Sequence, residues 1–166
     1  MPLPAELFAL IEADPPEFHL AALNRRIRET MDRVLRPHGL KLVEWRVLQS
    51  LEAEGALNIQ ELSELAVVER TITSRLVDRL VERGLVSKSS LQSDKRHSQV
   101  SLTRAGGSAL EAAKADVAKL RSELFSGLDM SQVEQLLALL KKIVSNGDGA
   151  DCRLQRRDHS GTDTVR

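Results

Sequence analysis

Aromatic residues and cysteine are scarce in this chain, and tyrosine is absent. Phe, Trp and Tyr together make up 2% of the 166 residues, and Cys152 is the sole cysteine. A single cysteine cannot form a disulfide framework within one chain, so the sequence fits a reducing compartment. The opening MPLPAELFALIEADPP lacks the basic start of a signal peptide, and no apolar run approaches the roughly 18 residues of a membrane span. We therefore expect a cytoplasmic protein.

A net charge is also lacking, since 24 Lys and Arg balance 24 Asp and Glu. The distribution of the charge is more informative than its sum. Residues 43–68 hold five glutamates against one arginine, whereas residues 69–104 hold eight basic residues against four acidic ones. A basic segment directly after an acidic one indicates a surface that faces a polyanion.

Residue patterns typical of catalysis are missing too. The sequence shows no nucleophile–base pair, no phosphate-binding loop and no metal-ligand spacing, so we expect neither an enzyme nor a cofactor. The four histidines, at positions 19, 38, 97 and 159, are scattered without paired spacing, and we predict no metal site. The 42% of apolar residues suffice for a core, and the length suggests one domain with tails.

Apolar residues recur every three or four positions along most of the chain, which is the period of an amphipathic helix. With its caps and breakers, this spacing predicts helices over residues 17–35, 43–53, 58–66, 69–83, 104–125 and 130–144. Asn58 with Glu61 forms a capping-box pattern, and Thr103 and Asp129 are expected N-caps. A short helix over 5–13 is expected in a flexible N-terminal arm (1–16), and disorder in the tail (147–166). The runs LVSKSSL and HSQVSLT around QSDKR alternate polar and apolar residues and predict a β-hairpin.

The order helix, short helix, helix and hairpin predicts a mainly α protein with a small β-hairpin, a winged helix-turn-helix. One side of the fourth helix is mostly apolar and is formed by Thr73, Leu76, Val77, Leu80 and Val81. The opposite side carries, in its first turns, Arg70, Thr71, Ser74 and Arg75. Side chains of these types can reach base edges and phosphates in a major groove. Asp78 and Glu82 would repel phosphate, so we expect the N-terminal half to insert, although a polar helix face can equally be a solvated surface.

Three stretches of the chain, in fixed order, resemble elements of one family of bacterial transcription factors. They are WRVLQSLE (45–52), NIQELSELAVVERTITSRLVDRLVERGLV (58–86) and SDKRHSQVSLTRAG (93–106). These stretches resemble the second helix, the helix-turn-helix, and the wing with the start of the next helix, of the multiple-antibiotic-resistance regulator (MarR) family. As a fourth feature, the helices on both flanks resemble the dimerisation elements of that family. The pattern D-x-R…LT-x-x-G is specific and is formed here by Asp94, Arg96, Leu102, Thr103 and Gly106. The resemblance extends over residues 17–145.

The resemblance implies a homodimeric, sequence-specific DNA-binding regulator, more often a repressor, whose N- and C-terminal helices join the protomers. It implies an N-terminal dimerisation helix (17–42), a winged helix-turn-helix (43–103) and C-terminal dimerisation helices (104–146) between the arm and the tail. It also implies that Arg96 lies in the minor groove, with Lys95 on a nearby phosphate and Asp94 holding the turn. A narrow minor groove attracts arginine through its enhanced negative potential. A two-fold dimer implies a pseudo-palindromic operator in double-stranded DNA.

The same resemblance implies that a small aromatic or carboxylate ligand modulates operator binding. Residues near the expected junction of dimerisation helices and DNA-binding lobe are His19, Arg28, His38, Trp45 and Arg46. Arg46 could hold a carboxylate, but each of the five can equally be structural. A redox switch is not expected, because the only thiol lies in the predicted tail and the first helix has none. The alternative function is a winged-helix module that binds a protein instead of specific DNA, with a shallow salt response.

Overall fold

The three-dimensional structure is a computed structural model that describes residues 4–89 and 98–160, with side chains up to residue 147. Within these ranges the helices are α1 (Ala5–Ala13), α2 (Pro16–Leu35), α3 (Leu42–Glu54), α4 (Ile59–Ala66), α5 (Arg70–Glu82), α6 (Arg104–Leu124) and α7 (Met130–Ser160). A 3₁₀ turn, Arg36–His38, follows α2, and the strands β1 (Val86–Ser89) and β2 (Gln99–Leu102) lie between α5 and α6. The predicted fold class, mainly α with a small β-hairpin, is confirmed.

The chain divides into two compact units, Met1–Arg121 and Ser122–Arg166. The first unit contains α1 to α5, the hairpin and most of α6, and the second contains the end of α6 and α7. Across the described ranges, no helix is both long enough and apolar enough to cross a bilayer.

The core of the first unit forms where α3 contacts α2, α4 and β2, and where α5 contacts α4 and β1. Leucines from these helices and from α6 are fully buried in it: Leu35, Leu48, Leu62, Leu80 and Leu110. Removing apolar surface from water stabilises a fold by about 25 cal/mol per Å². Leucine packing therefore holds α3, α4 and α5 together.

Side-chain caps confirm the predicted helix starts at Asn58 and Asp129. Before α4, Asn58 Oδ1 accepts a hydrogen bond from the Glu61 N–H at 3.0 Å, and Glu61 Oε2 accepts one from the Asn58 N–H at 2.8 Å. Before α7, Asp129 and Gln132 form the same reciprocal arrangement, with both distances 2.9 Å. Such caps satisfy N–H groups that the first helical turn leaves without partners.

The two strands pair antiparallel, and the pairing extends to Ser89 opposite Gln99. Leu57, in the connection between α3 and α4, adds an isolated bridge to Val100. The bridge consists of two backbone hydrogen bonds, Leu57 N–H to Val100 oxygen at 3.0 Å and Val100 N–H to Leu57 oxygen at 2.8 Å. Because Leu57 immediately precedes the cap of α4, the bridge fastens the base of the hairpin to the helix-turn-helix.

The last helix is longer than the sequence indicated. It runs Met130–Ser160, whereas the apolar period predicted an end at residue 144 and disorder from residue 147. The prediction followed an apolar stripe, but the hydrogen bonds of a helix do not require one, and residues 131–160 contain no proline to interrupt them. The expected disorder is therefore corrected for residues 147–160, which are helical.

Thr103 and Gly106 give the LT-x-x-G pattern a structural reason. Thr103 Oγ1 accepts a hydrogen bond from the Gly106 N–H at 3.0 Å, which confirms the predicted cap of α6. The same hydroxyl can donate to the Gly84 carbonyl oxygen, 2.7 Å away. A Cβ added to Gly106 would lie 2.0 Å from the Leu85 carbonyl oxygen. Only glycine allows the first turn of α6 to lie this close to the backbone that follows α5.

We expect Gly106→Ala to lower the free energy of unfolding by about 3 kcal/mol, because the added methyl forces the backbone to move. Gly107→Ala is the matched control, since a Cβ there has its nearest neighbour, Leu102 Cδ2, at 3.8 Å. The control should raise stability by about 0.5–1 kcal/mol, the usual gain of alanine over glycine in a helix. Urea unfolding followed by tryptophan fluorescence measures both, and equal effects of the two substitutions would contradict the close approach.

Candidate nucleic-acid interface

Helix α5 follows α4 in a helix-turn-helix and packs one face inward. The buried residues of that face are Thr73, Leu76, Val77 and Leu80. The sequence also assigned Val81 to this face, but Val81 is 37% exposed. It lies at the edge of the stripe in the last turn of α5, so its assignment is corrected. The buried stripe fixes the rotation of α5 about its own axis.

The polar member of the buried face, Thr73, is satisfied by its own helix. Its Oγ1 donates a hydrogen bond to the Glu69 carbonyl oxygen at 3.0 Å, one turn back. A buried hydroxyl is costly only when it lacks a partner. Threonine can therefore occupy a core position in α5.

The opposite face of α5 presents the residues that the sequence predicted to contact DNA. Arg70, Thr71 and Arg75 are exposed, and Ser74 is half-buried. All four lie in the first two turns of α5, and none of them belongs to its buried stripe. Guanidinium and hydroxyl groups supply donors and acceptors that can pair with base edges and phosphate oxygens. The structure thus leaves three of the four predicted contact residues open to solvent and the fourth partly so.

Arg83 fastens the far end of α5 to the connection between α2 and α3. Its Nη1 donates to Glu44 Oε1 at 3.0 Å, and its Nη2 donates to the Gly39 carbonyl oxygen at 2.6 Å. The other carboxylate oxygen of Glu44 accepts a hydrogen bond from the Lys41 N–H at 2.9 Å, at the start of α3. The Glu44 side chain is only 9% exposed, so solvent screens this pair less than a surface pair. Sequence spacing gave no signal for the link, because its members lie far apart in the chain.

A second ion pair joins α5 to the hairpin. Lys88 Nζ of β1 donates to Asp78 Oδ1 of α5. The sequence analysis treated Asp78 only as a group that repels phosphate, and missed its partner because the orientation of the hairpin is not a local property. The pair sets the base of the hairpin against the middle of α5.

The residues predicted for the wing tip, Asp94, Lys95 and Arg96, lie outside the described residues. The strands that lead to and from this segment end at Ser89 and begin at Gln99, and these two residues pair with each other. The described structure therefore supports a hairpin at this point of the chain and leaves the roles of the three residues as predictions.

The charged residues predicted for a ligand pocket have separate surroundings. His19 Nε2 lies 2.6 Å from Asp14 Oδ1, and both side chains are well exposed. His38 Nε2 lies 2.8 Å from Asp116 Oδ2 of α6, and Arg28 is exposed on α2. Each histidine can thus be accounted for as a structural hydrogen-bond partner of a carboxylate.

Trp45 is buried, and its Nε1–H has no hydrogen-bond partner among the described residues. A buried donor without an acceptor costs about 1–3 kcal/mol, so an acceptor supplied from outside this chain would be stabilising. Arg46 is half-buried, and its Nη1 donates to the Ala66 carbonyl oxygen at 3.4 Å. Arg46 also lines a cleft of about 300 Å³ between α3 and α4, together with Glu54 and Leu65.

A larger cleft, of about 470 Å³, opens beside the link between Arg83 and Glu44. Its lining comes from the end of α2, the start of α3 and the end of α5: Asp32, Arg36, Gly39, Leu40, Lys41, Glu44 and Arg83. Asp32 Oδ1 accepts a hydrogen bond from the Leu42 N–H at 2.9 Å, so both carboxylates of the cleft are engaged by the protein. The lining also contains three cationic side chains against these two carboxylates, and the excess of one positive charge favours an anion. The sequence analysis named none of these residues for a pocket.

The turn between α4 and α5 contains a strained residue, Val67. Its backbone is left-handed, with φ 54° and ψ 53°, and among the described residues it is the only non-glycine with a positive φ. A β-branched side chain is crowded in this conformation. Val67 is 79% exposed, so packing of its isopropyl group does little to offset the strain.

The family model for the MarR family matches residues 40–98, which include α3, α4, α5 and β1. Over 133 residues the chain is 31% identical to the HTH-type transcriptional repressor IacR of Pseudomonas putida, a match that covers 80% of each protein. The matched region therefore contains the surface that the recognition-helix residues form.

Two solved structures are similar to this one at the same TM-score of 0.71. A mutant of MarR from E. coli, complexed with operator DNA, is 28% identical, and the match covers 80% of this chain and 96% of that one. CouR from Rhodococcus jostii, bound to p-coumaroyl-CoA, is 26% identical, and the match covers 79% of this chain and 92% of that one. The similarity thus extends from the helix-turn-helix to most of the chain.

We expect Val67→Asn to raise the free energy of unfolding by about 1 kcal/mol, because asparagine tolerates the left-handed conformation that strains valine. Val67→Ala is the control, since it removes the β-branch but keeps a Cβ, and it should gain less. Urea unfolding of the three proteins gives the comparison. A loss of stability in Val67→Asn would show that the side chain of Val67 makes a contact that outweighs its strain.

Proposed function

Because the chain belongs to the MarR family of DNA-binding transcription regulators, we propose that it is a homodimeric repressor whose operator binding responds to a small ligand. It acts on chromosomal DNA in the cytoplasm and has no catalytic role. Repression is supported by the relative IacR, which is named a repressor. The observation that carries the proposal is the outward face of α5, where Arg70, Thr71 and Arg75 are exposed together beside Ser74.

Helix α5 reads the operator in the major groove. Recognition helices dock by their N-terminal turns, and the exposed cations and hydroxyls of α5 lie in these turns. The similar E. coli protein is described in complex with operator DNA, which supports duplex DNA as the partner. On this proposal Arg75 pairs with a base edge, while Arg70, Thr71 and Ser74 contact bases or phosphates nearby.

The wing adds a minor-groove contact. Arg96 inserts into the groove beside the half-site, Lys95 contacts a phosphate and Asp94 holds the turn. Support comes from the family resemblance of this segment and from the pairing of Ser89 with Gln99 at the ends of the strands. The enhanced negative potential of a narrow minor groove favours arginine over uncharged side chains.

A second copy of the chain is the partner of the terminal helices. Large apolar side chains are exposed on α2, namely Phe18, Leu20 and Leu23, and on α7, namely Leu137, Leu139, Ile143 and Val144. Several exposed large apolar side chains on one helix are typical of an interaction surface. A two-fold dimer would present two copies of α5 to half-sites about one helical turn apart.

A small aromatic carboxylate is the ligand class that the structure supports. The 470 Å³ cleft at the end of α5 is lined by three cationic and two acidic side chains, which favours the carboxylate. The similar CouR is described with p-coumaroyl-CoA bound, and the aromatic acyl group of that thioester supports the aromatic part. A carboxylate in the cleft would compete with Glu44 for the guanidinium of Arg83, which fastens α5. A second candidate site for the ligand is formed by the residues predicted from sequence: His19, Arg28, His38, Trp45 and Arg46.

We expect Arg75→Ala to weaken binding to a duplex selected from random DNA by about 1–3 kcal/mol, and to relax base preference at one position per half-site. Arg96→Ala should weaken binding to selected and scrambled duplexes alike, because the minor groove carries little sequence information. Gel shifts over a series of salt concentrations give the affinities and the number of phosphate contacts.

Arg121→Ala, at an exposed arginine of α6, is the control and should leave the affinity unchanged. Unchanged affinity in both Arg75→Ala and Arg96→Ala would refute the roles of α5 and the wing. A protein-binding winged helix, the rival function, would show weak duplex binding with a shallow salt dependence in the wild-type chain.

We expect Arg36→Gln to reduce the effect of aromatic carboxylates on operator binding by about tenfold in ligand concentration, since a charge-assisted hydrogen bond is lost. Benzoate, hydroxybenzoates and hydroxycinnamates are the compounds to test. Fluorescence of Trp45, the sole tryptophan, reports ligand binding, and gel shifts report release of the duplex. Duplex affinity without ligand should not change, because Arg36 lies outside α5.

Arg46→Gln is the matched variant for the residues predicted from sequence. If Arg46→Gln removes the effect of the ligand on operator binding and Arg36→Gln does not, the ligand binds at the residues predicted from sequence and not in the 470 Å³ cleft. If no compound alters binding of the wild-type chain, an aromatic carboxylate is the wrong ligand class.

A further inference from the structure

One large apolar side chain interrupts the polar face of α5. Ile72, in the first turn, is 51% exposed. On a helical projection it lies at the edge of the outward face, next to Arg75 and at the border of the buried Leu76. The rest of that face, from Arg70 to Asp78, is polar or charged.

Exposure alone does not give Ile72 a function, because single apolar residues are common on protein surfaces. The position of Ile72 in the first turn of α5 is more informative than its exposure. Ile72 follows Thr71 directly and precedes Arg75 by one turn, so it belongs to the part of α5 that enters the groove. Isoleucine is also a poorer helix former than many polar residues, so helix propensity does not account for it.

The major groove presents one apolar group on its base edges, the C5 methyl of thymine. We propose that Ile72 contacts such a methyl and makes the protein prefer thymine at one position of each half-site. This assignment rests on the proposed function, in which α5 reads the major groove. The contact removes a methyl group and the end of the isoleucine side chain from water, while Thr71 and Arg75 supply hydrogen bonds to neighbouring groups.

The test removes the methyl without altering any hydrogen-bonding group. Each thymine of a duplex selected from random DNA is replaced in turn by deoxyuridine, and the affinity of the wild-type chain is measured by gel shift. We expect one position per half-site at which deoxyuridine weakens binding about fourfold, the loss typical of exposing one methyl-sized group. Substitutions at other thymines should have smaller effects.

The same duplexes are then measured with Ile72→Ala and with Leu65→Ala. At the sensitive position, Ile72→Ala should bind the thymine duplex and the deoxyuridine duplex with about equal affinity. In a double-mutant cycle, loss of the methyl has no further effect once the side chain that contacts it has been removed. Leu65→Ala is the control, because Leu65 is similarly exposed, at 49%, on the neighbouring helix α4. It should keep the full fourfold penalty.

Two results would overturn the proposal: no thymine at which deoxyuridine matters, or a penalty that persists unchanged in Ile72→Ala. The second result would show that the methyl acts through another residue or through the shape of the duplex. Both results leave the proposed function intact, since the wild-type chain would still bind its selected duplex. Absence of specific duplex binding in the wild-type chain would instead refute the proposed function and this contact with it.

Discussion

The burial of one face of α5 determines where its exposed side chains lie. Thr73, Leu76 and Leu80 are shielded from water, and rotation of the helix about its axis would expose them at a cost proportional to the apolar area. The orientation of α5 that keeps these residues buried also fixes where Arg70 and Arg75 lie. The direction of the side chains proposed to contact DNA is therefore a consequence of leucine packing, and it needs no contribution from DNA.

Two ion pairs and a backbone bridge extend this constraint to the neighbouring elements. Arg83 holds the end of α5 to the connection between α2 and α3, Lys88 holds the hairpin to Asp78 of α5, and the bridge at Leu57 holds the hairpin to the start of α4. Hairpin and recognition helix thus belong to one lobe. Arg83 pairs with Glu44 and also lines the 470 Å³ cleft, so an anion bound in the cleft would contact the same guanidinium that positions α5.

Sequence alone predicted the features that depend on neighbours along the chain. The helix period, the reciprocal cap of Asn58 and Glu61 and the alternation of the strands are local, and the structure has all three. Partners that meet only in the folded chain, such as Arg83 with Glu44, left no periodic signal. The continuation of α7 to Ser160 was missed for a related reason, because a helix without an apolar stripe has no period to detect.

The proposed function requires the outward face of α5 to enter the major groove in both halves of the operator. Affinity cleavage tests it most directly, with an iron chelate attached to Thr71→Cys in a chain that also carries Cys152→Ser. We expect two clusters of strand cuts in the operator, about one helical turn apart, and no such clusters when the chelate is attached through Lys119→Cys on α6. Cuts from position 119 without cuts from position 71 would show that α6, and not α5, lies against the operator.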